Sequence, residues 1–298
     1  GFIYCQGRLG PGKFNELLII RLICFKPDIV LLNPSLGDKA LKRDFIYLNI
    51  CRFFRKKTSV FIHGFNFEYA KNADWKWISA NLNKALCIFV LSQDFKNELI
   101  RRGIKSDIHL TSTKVPDYFI SGFDLSMRQG KAENIMYSGR IEKAKGVYET
   151  VDTFSILKSQ YKDLTLTFVG DGSELPMLKQ YVENKKIKDV RFTGELRGED
   201  FKKEYINADM YLFLSYTEGM PTVVLEAMIF GLPIFTRKVG GLIDFFENGK
   251  MGYISSSLDP AVFAEAMKPY IENPAKMRSV SIYLSLIHIS EPTRLRCI

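Results

Sequence analysis

Along nearly the whole chain, short apolar runs alternate with longer stretches in which apolar residues recur every three or four positions. In the first half, "PDIVLLN" (27–33), "SVFIHGF" (59–65), "LCIFVLS" (86–92) and "DIHLTS" (107–112) read as buried strands separated by helix-sized segments. The second half repeats the pattern with "NIMYSG" (134–139), "LTLTFVGDG" (164–172), "DVRFTG" (189–194), "DMYLFLS" (209–215) and "LPIFT" (232–236). Strands that are apolar throughout and alternate with helices predict parallel sheets covered on both faces. Between the halves, residues 114–134 lose periodicity and collect Gly, Pro and charge. The expected fold class is therefore α/β, with two doubly wound parallel-sheet domains. The expected boundaries are 1–119 for the first domain, 120–133 for a linker and 134–283 for the second domain.

A chain of 298 residues that is 46% hydrophobic can bury two such cores. Its longest apolar stretches, such as "ALCIFVLS" (85–92), are far too short to cross a bilayer. The five cysteines (5, 24, 51, 87, 297) form no C-x-x-C pair. That pattern points to reduced, buried thiols and a cytoplasmic location. Charge is uneven: residues 1–133 carry 21 Lys/Arg against 12 Asp/Glu, and residues 134–298 carry 21 against 21. A basic half beside a neutral half suits two domains that meet different partners. The tail is a separate matter. "LSLIHISEPTR" (284–294) resembles one reading frame of a transposase sequencing adapter, so residues 284–298 are expected to be non-native read-through. His288 and Cys297 then carry no function.

Two constellations carry chemistry. In "TEGMPTVVLEAM" (217–228), directly after a strand, Pro221 suits the first position of a helix that Gly231 ends. Glu218 then lies in the strand-to-helix loop and Glu226 about two turns along. The amides of Thr222 and Val223 offer an anion site, and Glu226 can bind a diol. The plain alternative is that Glu218 favours the helix N-terminus and Glu226 is an exposed helix residue. In "YSGRIEKAKG" (137–146), Arg140 follows another strand and Lys145 comes five positions later. Two cations at a strand end suit a pyrophosphate, although either alone is an ordinary solvated loop residue. Two look-alikes carry less. "GRLGPGKF" (7–14) has P-loop spacing, but Phe14 stands where Ser or Thr would bind Mg²⁺. "GDGSELP" (170–176) lacks the third glycine of a dinucleotide fingerprint.

The blocks "GRIEKAKG", "FVGDGSELPMLKQ", "VRFTGEL" and "EGMPTVVLEAMIFGLPIFTRKVGGLIDFFENGKMGYI" resemble the donor domain of family-four retaining glycosyltransferases. The resemblance spans 134–271 closely and 27–119 loosely. It implies a B-type architecture of two facing Rossmann-like domains, the first of them truncated. It further implies roles at the matching positions. Arg140 and Lys145 would neutralise the donor diphosphate and stabilise the leaving nucleotide. Glu226 would hold the ribose. Glu218, with backbone around Gly219, Met220 and Pro221, would contact the donor sugar. Thr222 and Val223 would face the phosphates, and backbone near Leu196 would lie by the base. His63 matches a histidine that approaches the donor sugar. No D-x-D triplet occurs in the chain, so no metal and no cofactor beyond the nucleotide-sugar donor are expected, with cations and amides supplying the charge stabilisation.

The implied activity is transfer of a sugar, with retention, from a nucleotide-diphosphate donor to a glycan or lipid-linked acceptor in bacterial surface polysaccharide synthesis. A sugar-nucleotide epimerase of similar fold and an inactive nucleotide-sugar-binding scaffold are the alternatives. No nucleic-acid partner is expected. The segment "KALKRDFIYLNICRFFRKK" (39–57) reads as one helix mixing aromatic and cationic residues. It reads first as an ordinary buried helix whose C-terminal cations complement its dipole, and functionally it suits an anionic surface at the inner face of the plasma membrane.

Overall fold

The computed structural model describes residues 2–5, 11–65, 67–128 and 132–290. Residues 7–10 of the P-loop-like stretch, the His288 side chain and Cys297 lie outside the described residues. The chain divides into two compact units, one of residues 1–112 with 218–220, the other of residues 113–217 with 221–297.

The first unit runs β1 (Phe2–Cys5), α1 (Pro11–Cys24), β2 (Ile29–Leu32), β3 (Ser35–Leu36), α2 (Asp38–Phe53) and β4 (Lys57–Ile62). It continues β5 (Gly64–Phe65), α3 (Phe67–Asn72), α4 (Trp75–Leu82), β6 (Cys87–Val90), α5 (Gln93–Arg101) and β7 (Asp107–Leu110). Five strands form a parallel sheet ordered β1-β2-β4-β6-β7, and β3 pairs with β5 in a two-stranded ribbon. Val30, Leu32, Val60, Ile62, Ile88 and Val90 are buried in its core. They share one face of the sheet; the residues between them on β2 and β6, Ile29, Leu31, Cys87 and Phe89, are apolar too but only half-buried or exposed, so the strands read as apolar runs although one face is less covered. α4 and α5 start where a side chain caps the first free amides. Asp74 accepts from the Trp77 amide at 3.0 Å, and Ser92 accepts from that of Phe95 at 3.2 Å.

Two details differ from expectation. The basic helix ends at Phe53, not at residue 57, because Arg55 takes a left-handed conformation (φ 55°) and Lys57 already pairs in β4. Of its C-terminal cations only Arg52 lies in the last helical turn. The thiols are not uniformly buried either. Cys51 is buried and Cys87 half-buried, but Cys24, at the end of α1, is exposed.

The second unit runs β8 (Asn134–Ser138), α6 (Val147–Lys158), β9 (Thr165–Val169), α7 (Leu175–Asn184), β10 (Val190–Phe192) and α8 (Gly198–Asn207). It continues β11 (Met210–Phe213), α9 (Thr222–Ile229), β12 (Ile234–Arg237), β13 (Gly252–Ser255), α10 (Pro260–Glu272) and α11 (Pro274–Ser290). Six parallel strands are ordered β10-β9-β8-β11-β12-β13. The chain winds outward from β8 in one direction and from β11 in the other. The crevice beyond their carboxyl ends is thus the topological switch point, where open α/β sheets bind ligands.

Residues 120–128, read from sequence as linker, pack on this unit. Phe119 and Phe123 meet Phe230 with ring centroids 5.4 and 5.0 Å apart. The Arg128 guanidinium donates to the carbonyls of Phe230 (2.7 Å), Tyr205 (3.0 Å) and Ala208. Aromatic anchors set in a Gly- and charge-rich stretch have no periodicity to announce them.

Candidate functional site

The expected donor-site residues cluster at the switch point. Arg140 and Lys145 follow β8, and Pro221, Thr222, Val223 and Glu226 follow β11. The two loops are stitched together: the Ala144 carbonyl accepts from the Tyr216 amide at 3.0 Å and from Ser215 Oγ at 3.3 Å. Gly146 permits this approach. It sits at φ 67°, and a Cβ there would lie 2.0 Å from the Leu214 carbonyl oxygen. Only glycine fits both conditions.

Pro221 precedes the helix as its N-cap, one position earlier than expected, so the helical residues begin at Thr222. The amides of Thr222 and Val223 have no carbonyl a turn earlier in the helix to bond, which leaves them aimed out of its positive end. At the other end, Gly231 takes φ 69° and donates to the Met228 carbonyl at 2.9 Å, while Leu232 donates to that of Ala227 at 3.1 Å. That pair of bonds is a Schellman closure, and it confirms glycine as the stop signal.

Arg140 is exposed and ion-paired to Glu142 at 2.7 Å. Lys145, in a 3-10 turn, is half-buried. Glu226 is half-buried on α9, where burial raises its carboxyl pKa above the ordinary range and a hydrogen bond from Tyr205 opposes that rise. The Tyr205 hydroxyl lies 2.9 Å from Glu226 Oε2. Glu218 and Gly219 are half-buried and Met220 is buried, all in the loop between β11 and α9. Leu196 is half-buried in the loop after β10, two strands along the sheet from β8.

His63 directly follows β4 in the first unit. Its Nδ1 lies 2.7 Å from Asn33 Oδ1, and the amide oxygen, as an acceptor, places the proton on Nδ1 and the lone pair on Nε2. Partial burial keeps its pKa below the ordinary imidazole value. Among the described residues, no group of three or more His, Cys, Asp and Glu is placed to hold a metal ion.

Sequence reasoning missed the support behind this site. Tyr205, Ser138 and Tyr211 form a buried hydroxyl cluster against Glu226. Tyr216 is stacked under the Arg237 guanidinium (4.6 Å) and hydrogen-bonds Glu149 through its hydroxyl. The one available signal was a serine closing an otherwise apolar strand at 138. Glu142, the ion-pair partner of Arg140, was in plain view inside the quoted motif and was passed over.

A parallel-sheet unit with cations, helix amides and a carboxylate on the loops at its switch point has the layout of an α/β ligand-binding domain. The chain belongs to the glycosyl transferases group 1 family, whose pattern it matches over residues 126–283. It is 30% identical to a glycogen synthase of Mycobacterium tuberculosis over 149 residues, covering 50% of this chain and 36% of that protein. It is 24% identical to the sulfoquinovosyl transferase SQD2 of Arabidopsis thaliana over 254 residues, covering 80% of this chain and 48% of that protein. The chain therefore spans less than half the length of either relative. Its fold matches a crystal structure of Anabaena Alr3699/HepE in complex with UDP and glucose, with a TM-score of 0.74 and 18% identity. That match covers 94% of this chain and 79% of the Anabaena chain.

Proposed function

We propose that the protein to which this chain belongs is a retaining glycosyltransferase. It moves a sugar from a nucleotide-diphosphate donor to a glycan or lipid-linked acceptor in the synthesis of a bacterial surface polysaccharide. The observation that carries this reading is the convergence of Arg140, Lys145, the amino end of α9 and Glu226 on the β8/β11 switch point. Such a set matches a nucleoside diphosphate in charge and shape, with cations and amides for the two phosphates and a carboxylate for the ribose diol. Relatives support the reaction class: a capsular polysaccharide biosynthesis glycosyltransferase of Staphylococcus aureus is 29% identical over 154 residues.

In this reading the diphosphate leaves as Arg140, Lys145 and the helix amides absorb the developing negative charge. No metal and no cofactor besides the donor is required. Fixed donors of this kind need no reorganisation as the glycosidic bond breaks, and positioning supplies the rest of the acceleration. Glu218, with the backbone of Gly219 to Pro221, holds the donor sugar, and backbone near Leu196 meets the base. His63, neutral and with Nε2 open to accept, is assigned to the sugar as well. The enzyme works in the cytoplasm, at the inner face of the membrane that presents its acceptor.

Titration calorimetry with UDP, GDP and ADP tests the reading, using Arg140→Ala and Glu226→Ala as controls. Micromolar binding of one nucleotide, lost in both variants, is the expected result. A folded protein that binds none of the three would overturn the site assignment.

A further inference from the structure

Behind Glu226 lies a chain of hydroxyls that the donor-site reading does not use. Tyr205 on α8 is fully buried, with its oxygen 2.9 Å from Glu226 Oε2 and 2.8 Å from Ser138 Oγ. Ser138 Oγ is in turn 2.8 Å from the hydroxyl of Tyr211, which is also fully buried. An ionised carboxylate can only accept, so the Tyr205 proton points at Glu226. Tyr205 then accepts from Ser138, while the Tyr211 hydroxyl, 2.8 Å from Ser138 Oγ, also lies 3.1 Å from the Ser138 carbonyl, to which it donates. The Ser138 and Tyr205 hydroxyls are therefore polarised toward the carboxylate, an arrangement that strengthens both bonds. The chain also joins the two halves of the site, because Ser138 ends the strand that delivers Arg140 two residues later. Among the described residues, Glu226 forms hydrogen bonds through Oε2 only.

We propose that Tyr205 is a positioning residue for Glu226. Backed by Ser138 and Tyr211, its hydroxyl holds Oε2 so that Oε1 faces the ribose hydroxyls of a nucleoside diphosphate. The inference rests on the donor-site reading and adds to it the source of ribose selectivity. A rotatable glutamate at the rim of a crevice meets one diol as readily as another polar group. One pinned from behind by a buried hydroxyl presents its second oxygen in one direction.

The test uses the whole chain and compares the nucleotide found to bind, UDP being the first tried, with its 2′-deoxy and 3′-deoxy forms. The wild type is expected to prefer the ribonucleotide by about 10- to 100-fold over at least one deoxy form, the range of a hydrogen bond to a charged group. Tyr205→Phe keeps the ring stacked on Phe230 (5.4 Å) and removes only the hydroxyl. It should cut the preference to within about 3-fold of unity while leaving affinity for the deoxy form unchanged. Tyr161→Phe, which removes a Tyr–Glu hydrogen bond to Glu272 elsewhere on this unit, should leave the preference intact. A Tyr205→Phe protein that keeps full ribose preference, or weakens both nucleotide forms equally, overturns the proposal. Where that variant fails to fold, Ser138→Ala carries the same comparison, with a smaller loss of preference expected. If the wild type binds no nucleotide, the donor-site reading itself fails and this inference with it. If it binds without ribose preference, the role of Glu226 fails although the diphosphate site stands.

Discussion

At the scale of single residues, the donor site carries its own competitor. Arg140 points its guanidinium at Glu142, 2.7 Å away, with 69% of the Arg140 side chain exposed. An exposed pair of this kind is worth about 1 kcal/mol or less, so a diphosphate can displace it at small cost. Glu142→Gln should therefore tighten nucleotide binding by about 2- to 5-fold, the equivalent of that pair, and calorimetry reads it directly. Weaker binding in Glu142→Gln would mean that the glutamate orients Arg140 productively. Glu226 gives a pH prediction. Burial raises its pKa in the folded protein above the unfolded value, so the folded state holds that proton more tightly. The resulting stability is present below the unfolded pKa and is lost as pH rises through the folded one. Denaturant unfolding between about pH 4 and about pH 7 should show wild type losing stability relative to Glu226→Gln across that window. Nucleotide binding by wild type should strengthen over the same window, because only the ionised carboxylate accepts both ribose hydrogens. A stability difference that is flat with pH would remove burial as the dominant influence on this carboxylate.

At the scale of elements, the clamp at Arg128 is the test case. One guanidinium caps the carboxyl ends of α8 and α9 through the carbonyls of Tyr205, Ala208 and Phe230, and lies over the Phe123 ring at 5.4 Å. Burial draws its pKa down to about 10, which still leaves it charged at neutral pH. Arg128→Met retains much of the packing but strands three carbonyls, and should cost roughly 3 kcal/mol. For a unit of this size that is a fall of about 10 °C in Tm, measurable by differential scanning calorimetry. An unchanged Tm would show the cap to be dispensable. This clamp also marks the limit of what was legible in the sequence. Strands such as Met210–Phe213 announced themselves because burial on both faces demands continuous apolar residues. Gly231 announced the end of α9 because left-handed closure selects glycine. Arg128, Tyr205 and Ser138 did not, since their partners lie on other elements: Ser138 is 67 positions from Tyr205, Tyr205 is 21 from Glu226, and Arg128 is 77 to 102 from the carbonyls it caps. β13 (Gly252–Ser255) was missed for a different reason: a four-residue strand that opens on glycine has too little apolar run to register. Local pattern shows which elements form, whereas the polar bonds that tie one element to another leave no periodicity behind.

At the scale of the whole molecule, charge divides the chain more sharply than fold does. Both units are parallel α/β sheets, yet the excess of positive charge is confined to residues 1–133. In the first unit, Arg55 and Lys56 occupy the turn after α2, Lys57 opens β4, and Phe53 is 83% exposed beside them. Phe25, at the end of α1, is 73% exposed, and Lys26 follows it. No helix among the described residues is long and apolar enough to cross a membrane. The membrane contact included in the proposed function would draw on these exposed aromatics and clustered cations. Each cation near an anionic surface contributes about 1 kcal/mol, and the attraction decays over a Debye length of about 10 Å at 0.1 M salt. Co-sedimentation should accordingly show binding to phosphatidylglycerol vesicles at low salt, much weaker binding at about 0.5 M salt, and none to phosphatidylcholine. Replacing Arg55, Lys56 and Lys57 together by glutamine should remove most of the binding, and Phe53→Ser should weaken it while leaving its salt dependence in place. Failure to bind anionic vesicles at any salt concentration would sink the membrane assignment. The charge of the first unit would then need a soluble acidic acceptor to account for it, and an anionic oligosaccharide added to the same assay would be the next ligand to try.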